Sequence, residues 1–169
     1  DTIDGGEGAD VMFITSTAAN TDATGGARIS NIETVNLRQT AAADMALNAA
    51  NTSGVEVVNS YLSTGTVTVT NLGAGDSIGL VGNAALTLGE LTASYAATAT
   101  AANIGIAGGT GATTADNINI DNGAGLLSAA ITSSGANTLA AVNFGVDAAG
   151  VAGTATGIRT VTINASDTL

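Results

Sequence analysis

The chain lacks several residue types, and each absence excludes a class of site. Cys, Pro, His and Trp do not occur among its 169 residues, and its three cationic side chains are all Arg. Disulfides and thiolate metal centres are therefore excluded, as are Ser-His pairs, thiol nucleophiles and Schiff-base lysines. The sequence predicts that the chain is not an enzyme, although a pair of carboxylates for glycoside hydrolysis is still chemically available.

Positive charge is also scarce. Fourteen acidic residues against three Arg give a formal net charge of −11. Nucleic-acid binding is excluded as a function, because affinity for phosphate depends on many Lys and Arg contacts. The expected partners are cations. Charged residues make up only 10% of the chain, so the surface consists mostly of small neutral side chains, which suit close contacts between repeated copies.

Large apolar side chains are few. Aromatic residues account for 2% of the chain, whereas apolar residues as a whole account for 45%. The core must therefore be built from Ala, Val, Ile and Leu, which favours thin stacked β layers. No run approaches the ~20 apolar residues of a membrane span. The length suits one module over residues 1–169, which we interpret as a fragment or repeat unit of a larger extracellular protein.

Short runs with alternating apolar and polar residues predict strands, separated by Gly, Asn, Thr or Ser. The strand candidates are residues 29–37, 55–58, 66–70, 77–81, 85–88, 103–106, 117–120, 138–144 and 158–163. Residues 41–50 contain Ala, Met and Leu and could form one or two helical turns. The segment 92–116 is predicted to be an excursion or long loop.

Internal similarity predicts a repetitive solenoid. Residues 32–37 align with residues 158–163, and Asp167-Thr168-Leu169 echoes Asp1-Thr2-Ile3. The expected fold is therefore all-β, a parallel β-helix or β-roll solenoid with short Gly/Asn turns. The side chains expected in its core are Ile32, Val35, Val67, Val69, Ile118, Ile120, Val161 and Ile163. Thr66, Thr68 and Thr70 are expected to be more exposed, as a solvated strand face.

The most specific motif lies near the start. Residues 5–13 match the nonapeptide G-G-x-G-x-D-x-U-x, in which U is a large apolar residue. Residues 1–4 fit the second half of a preceding copy. Glycines permit positive φ in a sharp turn, the Asp offers a hard oxygen ligand, and the U residue points into the interior. The alternative is a plain Gly-Asp loop that caps a strand.

Residues 1–13 resemble the β-roll repeats of the RTX family, which are secreted calcium-binding proteins of Gram-negative bacteria. The resemblance implies calcium bound by the Asp side chain and by carbonyls of the turn, which here points to Asp1, Gly6, Gly8 and Asp10. A complete site then needs a second, stacked turn. A degenerate relative at residues 73–78 makes Asp76 a further candidate metal ligand, with a plain β-turn as its alternative. Residues 121–125 also read as a turn.

Residues 29–37, after this turn, resemble recurrent segments of bacterial surface-layer proteins that leave the cell by type I secretion. The resemblance implies a structural module of a self-assembling surface layer or filament, stabilised by calcium, outside the cell. The expected partners are further copies of the protein. The alternative is a calcium-dependent RTX-type adhesin module that binds another cell surface or a glycan, such as a cell-surface polysaccharide.

Overall fold

In the part of the chain that the structure describes, the alternating runs form fifteen strands, and every pairing between them is parallel. A computed structural model describes residues 1–82, 90–107, 117–121, 125–135, 137, 139, 141–145 and 157–166. Within this part of the chain the only helix is a 3-10 turn at Ala49–Asn51. The strands belong to three sheets.

Each sheet is a stack of strands from successive coils of the chain. Sheet A contains β1 (Thr2–Asp4), β3 (Arg28–Ser30) and β6 (Thr52–Ser53). Sheet B contains β2 (Val11–Ser16), β4 (Thr34–Gln39), β7 (Val57–Tyr61), β9 (Ser77–Val81), β11 (Ala101–Ala107), β13 (Ser128–Ser134) and β15 (Thr160–Ala165). Sheet C contains β5 (Met45–Asn48), β8 (Val67–Leu72), β10 (Leu91–Tyr95), β12 (Asn117–Asp121) and β14 (Ala141–Phe144).

The order of these strands along the chain makes the fold a parallel β-solenoid, as the sequence predicts. A coil visits sheets A, B and C in turn, and from β9 onward the strands alternate between sheets B and C. Val11 pairs with Thr34, and Thr34 pairs with Val57. These two coils therefore have the same length of 23 residues (34 − 11 and 57 − 34).

The core is a set of apolar columns that run along the solenoid axis. One column of sheet B consists of inward-facing residues in register, namely Met12, Val35, Val58, Ile78, Ile104, Ile131 and Ile163. Val67 and Val69 of sheet C are fully buried opposite this sheet, whereas Thr66, Thr68 and Thr70 are partly exposed. This alternation confirms the predicted facing of that strand.

Most of the predicted core is confirmed, but the prediction is wrong for Val161 and Ile163. Ile32, Val35, Val67, Val69, Ile118 and Ile120 are buried. Val161 and Ile163, by contrast, are 47% and 56% exposed. Both lie on β15, the terminal strand of sheet B, which has a neighbour on one side only among the described residues. Their apolar faces point the right way, but none of the described residues forms a further coil over them.

Three predicted elements differ from the structure. The single run 29–37 is split into β3 and β4 because Asn31 adopts a left-handed conformation with φ 51°. In the candidate helix 41–50, Met45–Asn48 form strand β5, since Met45 and Leu47 extend buried columns, and only residues 49–50 are helical, as part of the 3-10 turn Ala49–Asn51. The predicted loop 92–116 contains most of β10 and all of β11, so that prediction is wrong for residues 92–95 and 101–107.

Other predicted strands lie close to their observed positions. Residues 77–81 match β9, and residues 117–120 lie in β12. The candidate strand 85–88 lies outside the described residues, as does part of the candidate strand 138–144. Strand β13 was not predicted, because its Ala and Ser residues carry little of the alternation by which strands are recognised.

Ile120→Ala should lower the free energy of unfolding by about 2–5 kcal/mol, because it removes a fully buried side chain and leaves a cavity. Ile163→Ala is the matched control and should cost under about 1 kcal/mol, since Ile163 is mostly exposed. Chemical denaturation followed by circular dichroism measures both. Equal losses would contradict the position of Ile163 at an open end of the solenoid.

Candidate metal centre

The glycine-rich motif forms the corner between β1 and β2. This corner has six residues, 5–10, whereas residues 31–33 make the same corner in the next coil with three. Gly6 and Gly8 have φ of 89° and 126°, as the motif predicts. Gly5 is required for a different reason, because a Cβ there would collide with the backbone oxygen of Asn31 in the next coil. The first corner is thus an expanded turn held tightly against its neighbour.

Asp4 fixes this turn, although sequence reasoning assigned it no role. Its Oδ1 accepts hydrogen bonds from the Gly6 backbone N–H at 3.1 Å and from Asn31 Nδ2 at 2.9 Å. The bond from Asn31, followed by that from Gly6, holds the pKa of Asp4 below its usual value. Asp4 therefore joins the expanded turn to the coil stacked on it.

Asp10, the motif carboxylate, closes the same turn. Its backbone N–H donates to Glu33 Oε2 of the next coil at 2.7 Å. Its own Oδ2 is buried and has no hydrogen-bond partner within the part of the chain that the structure describes. Buried carboxylate oxygens are normally satisfied by donors or by a metal ion. This oxygen is the feature of the corner that fits a cation.

Four acidic residues lie in one column at the corner before sheet B. Each of the four is the residue immediately before a strand of sheet B, and those strands are paired in register with one another. The acidic column consists of Asp10, Glu33, Glu56 and Asp76. Neighbouring strands in a sheet are about 4.8 Å apart, so adjacent members of this acidic column are also about 4.8 Å apart along the solenoid axis. The equal spacing of 23 residues from Asp10 to Glu33 and from Glu33 to Glu56 is the sequence signal that would have revealed it.

The predicted ligands do not all meet. Asp10 and Asp76 are three coils apart, roughly 14 Å along the axis, and so belong to different turns. Asp76 Oδ2 accepts a hydrogen bond from the Gly73 N–H at 2.7 Å, which is the arrangement of a plain turn. Asp1 is exposed and lies at the far end of β1 from the motif, where its backbone oxygen accepts from the Arg28 N–H. Gly6, Gly8 and Asp10 share one turn.

The Gly5–Asp10 turn offers a metal ion one buried carboxylate oxygen, that of Asp10, together with backbone carbonyls. No group of three acidic side chains converges on one point in the described residues. Calcium accepts backbone carbonyls as well as carboxylates, typically with 6–8 oxygen ligands. Asp10 Oδ2 with carbonyls of the Gly5–Asp10 turn would be such a partial set, and the assignment of calcium stays a prediction.

No family model, curated protein or solved structure matches this chain. The fold assignment therefore depends on the strand pairing itself. In the described residues no helix has the length and apolar character that crossing a membrane requires. A parallel β-solenoid is an architecture typical of structural proteins.

Asp4→Asn should lower thermal stability at neutral pH and have little effect in acid. The folded pKa of Asp4 is depressed, so the charged form contributes stability above the ordinary value of 3.8, and this contribution is lost as pH falls through the lower folded pKa. Melting temperatures of both proteins between neutral and strongly acidic pH test this. Glu7→Gln, which removes an exposed carboxylate from the same turn, is the control. A gap that widens in acid would contradict the role of Asp4.

Proposed function

We propose that this chain is a structural module of an extracellular, calcium-stabilised surface layer or filament, of the kind its RTX-like repeat suggests. The observation that carries the proposal is the buried, unpartnered Asp10 Oδ2 in a glycine turn stacked on the next coil. Type I secretion and location at the cell surface belong to the same proposal, through the resemblance of residues 1–13 and 29–37.

Calcium would act on the acidic corner by neutralising charge. The acidic column brings four carboxylates into register on a chain of net charge −11. Like charges at this spacing repel one another, and a bound cation relieves that repulsion. An ion that binds only the folded turn also stabilises the fold by mass action.

Self-assembly is supported by the composition of the surface. Charged residues make up only 10% of the chain, so the surface consists mostly of small neutral side chains, which suit close contacts between repeated copies. Stacking of coils, lateral contact of copies, or both would give an ordered array.

The second candidate function is an adhesin module, and one observation favours it. Phe13 is 61% exposed on the outer face of sheet B and contacts Tyr61. Tyr is enriched at interfaces because it offers an apolar ring and a polar hydroxyl, so an exposed Phe–Tyr pair fits a surface that a ligand or partner covers. Electron microscopy of intact source cells separates the two functions: a continuous periodic coat or fibre supports assembly, whereas scattered long projections support adhesion.

Asp10→Ala should weaken calcium binding more than Glu7→Ala, which is the matched control. Asp10 contributes the buried oxygen of the turn, whereas Glu7 is exposed and makes no side-chain hydrogen bond in the described structure. Isothermal titration with calcium measures both affinities, and equal values would refute the assignment of Asp10. Excess chelator should also lower the melting temperature of the wild type, and an unchanged value would count against a structural ion.

Assembly is tested by measuring association at increasing protein concentration with and without calcium. We expect ordered association of the parent protein that calcium promotes, because the ion reduces repulsion between acidic turns. Light scattering and electron microscopy before and after chelation provide the readout. If the protein stays monomeric with calcium present and its source cells show no array, the structural function is wrong and the adhesin function replaces it.

A further inference from the structure

The outer face of sheet B contains one column of residues with a gap in it. In register from the first coil onward, this column consists of Phe13, Asn36, Asn59, Gly79, Gly105, Thr132 and Asn164. The side chains at its two ends project outward, whereas the two glycines have none. The result is a groove of about 430 Å³, within the range of ligand sites of roughly 300–1,000 Å³.

The groove interrupts a ladder of amide hydrogen bonds. Asn59 Nδ2 donates to Asn36 Oδ1 at 2.9 Å. Asn59 Oδ1 lies over Gly79, where a Cβ would collide with it. Because Gly79 has no side chain to donate the next bond, Asn59 Oδ1 has no hydrogen-bond partner in the described structure. An acceptor is therefore directed into one end of the groove, and the exposed Thr132 lies at the other end.

The backbone does not require either glycine. Both lie in extended strands and neither has a left-handed φ. At Gly105 a Cβ would lie no closer than 3.8 Å to the Ile78 backbone oxygen, which is ordinary contact. A strand glycine costs about 0.5–1 kcal/mol relative to Ala, and glycine in strands often marks the close approach of a ligand. Gly79 makes room for the Asn59 amide, whereas no close neighbour requires Gly105, and the groove over Gly105 is not explained by packing.

An aromatic pair lies on the same face, at the first-coil end of the column. Phe13 contacts Tyr61 edge to face, with ring centroids 5.4 Å apart. The Tyr61 hydroxyl has no hydrogen-bond partner in the described structure, unlike that of the buried Tyr95, which bonds to both backbone groups of Asn103. Two of the four aromatic residues of the chain are therefore available at the surface beside the groove.

We propose that this face binds a neutral saccharide chain, whose rings lie along the column from the Phe13–Tyr61 pair into the groove over Gly79 and Gly105. No ionisable side chain lines the groove, so the groove offers no cation to an acidic sugar, and the net charge of −11 also disfavours one. Arg38 is exposed on the same face beside Tyr61 but lies outside the groove. A sugar presents hydroxyls that satisfy Asn59 Oδ1, Tyr61 and Thr132, and C–H faces that contact the aromatic pair.

A flat apolar protein surface fits this face less well, because it would bury the Asn59 oxygen and the Tyr61 hydroxyl without partners. The saccharide site does not depend on the proposed structural function. It uses neither the Gly5–Asp10 turn nor the acidic column, so loss of calcium binding in Asp10→Ala and loss of saccharide binding are separate results.

Native electrophoresis through gels that contain a soluble polysaccharide tests the proposal with the whole chain. The neutral probes are mannan, dextran, galactomannan and xyloglucan, and polygalacturonate is the acidic probe. We expect at least one neutral polysaccharide to retard the wild type and polygalacturonate to leave its mobility unchanged. Retardation by none of the neutral probes, or by polygalacturonate alone, would overturn the proposal.

The matched variants are Gly105→Asn and Ala107→Asn, which place the same side chain on the outer face of one strand. Gly105→Asn fills the groove and should weaken binding by roughly tenfold or more, whereas Ala107→Asn, outside the groove, should bind as the wild type does. Equal binding by Gly105→Asn and the wild type would refute the site. Should Gly105→Asn fail to fold, judged by circular dichroism, Tyr61→Ala provides the same test at the aromatic end.

Sedimentation equilibrium tests whether a second copy of this chain, rather than a saccharide, occupies the groove. If the wild type associates through this face without sugar, Gly105→Asn abolishes that association, and no neutral polysaccharide is bound, then the groove is an interface between copies and the saccharide proposal is wrong.

Discussion

The in-register parallel backbone ladder is the constraint on which the rest of this molecule depends. Because each strand pairs with the equivalent strand of the next coil, one position in the sequence repeats along a straight column. Residues that are 20 (77 − 57) to 32 (160 − 128) apart in the chain thereby lie on neighbouring strands, about 4.8 Å apart in space. The apolar core, the acidic column and the amide ladder are three uses of this one repeat.

Prediction from the sequence succeeded where a local pattern carries the physics. Alternation located β9 and β12, and positive φ was correctly expected at Gly6 and Gly8. The position of Asp10 in the motif also followed from its spacing. The expected calcium site cannot be completed from sequence, because the partners of Asp10 come from the next coil, such as Glu33.

Prediction failed where the neighbouring coil determines the conformation, the burial or the hydrogen-bond partner of a residue. Met45 and Leu47 favour helix by propensity, yet they are fully buried in a column that only an extended chain can continue. Likewise Ile163 has the pattern of a core residue, and its burial depends on whether another coil covers it. Asp4 was overlooked because its partner Asn31 is 27 residues away. In a solenoid, therefore, the period must be found before local patterns can be assigned to faces.

The acidic column distinguishes the first coils of the solenoid from the later ones. Its register continues beyond Asp76 into Ala102, Ala129 and Val161, so carboxylates occupy this corner in the first coils and apolar side chains in the later ones. Each coil contacts mainly its nearest neighbours, and stability in such a fold is close to a sum of neighbour terms. A cation at the Gly5–Asp10 turn would therefore directly stabilise the first coil and the coil stacked on it. The coils from β11 onward would gain only what the shared ladder transmits, because the described residues that continue the acidic column there, Ala102, Ala129 and Val161, have no carboxylate.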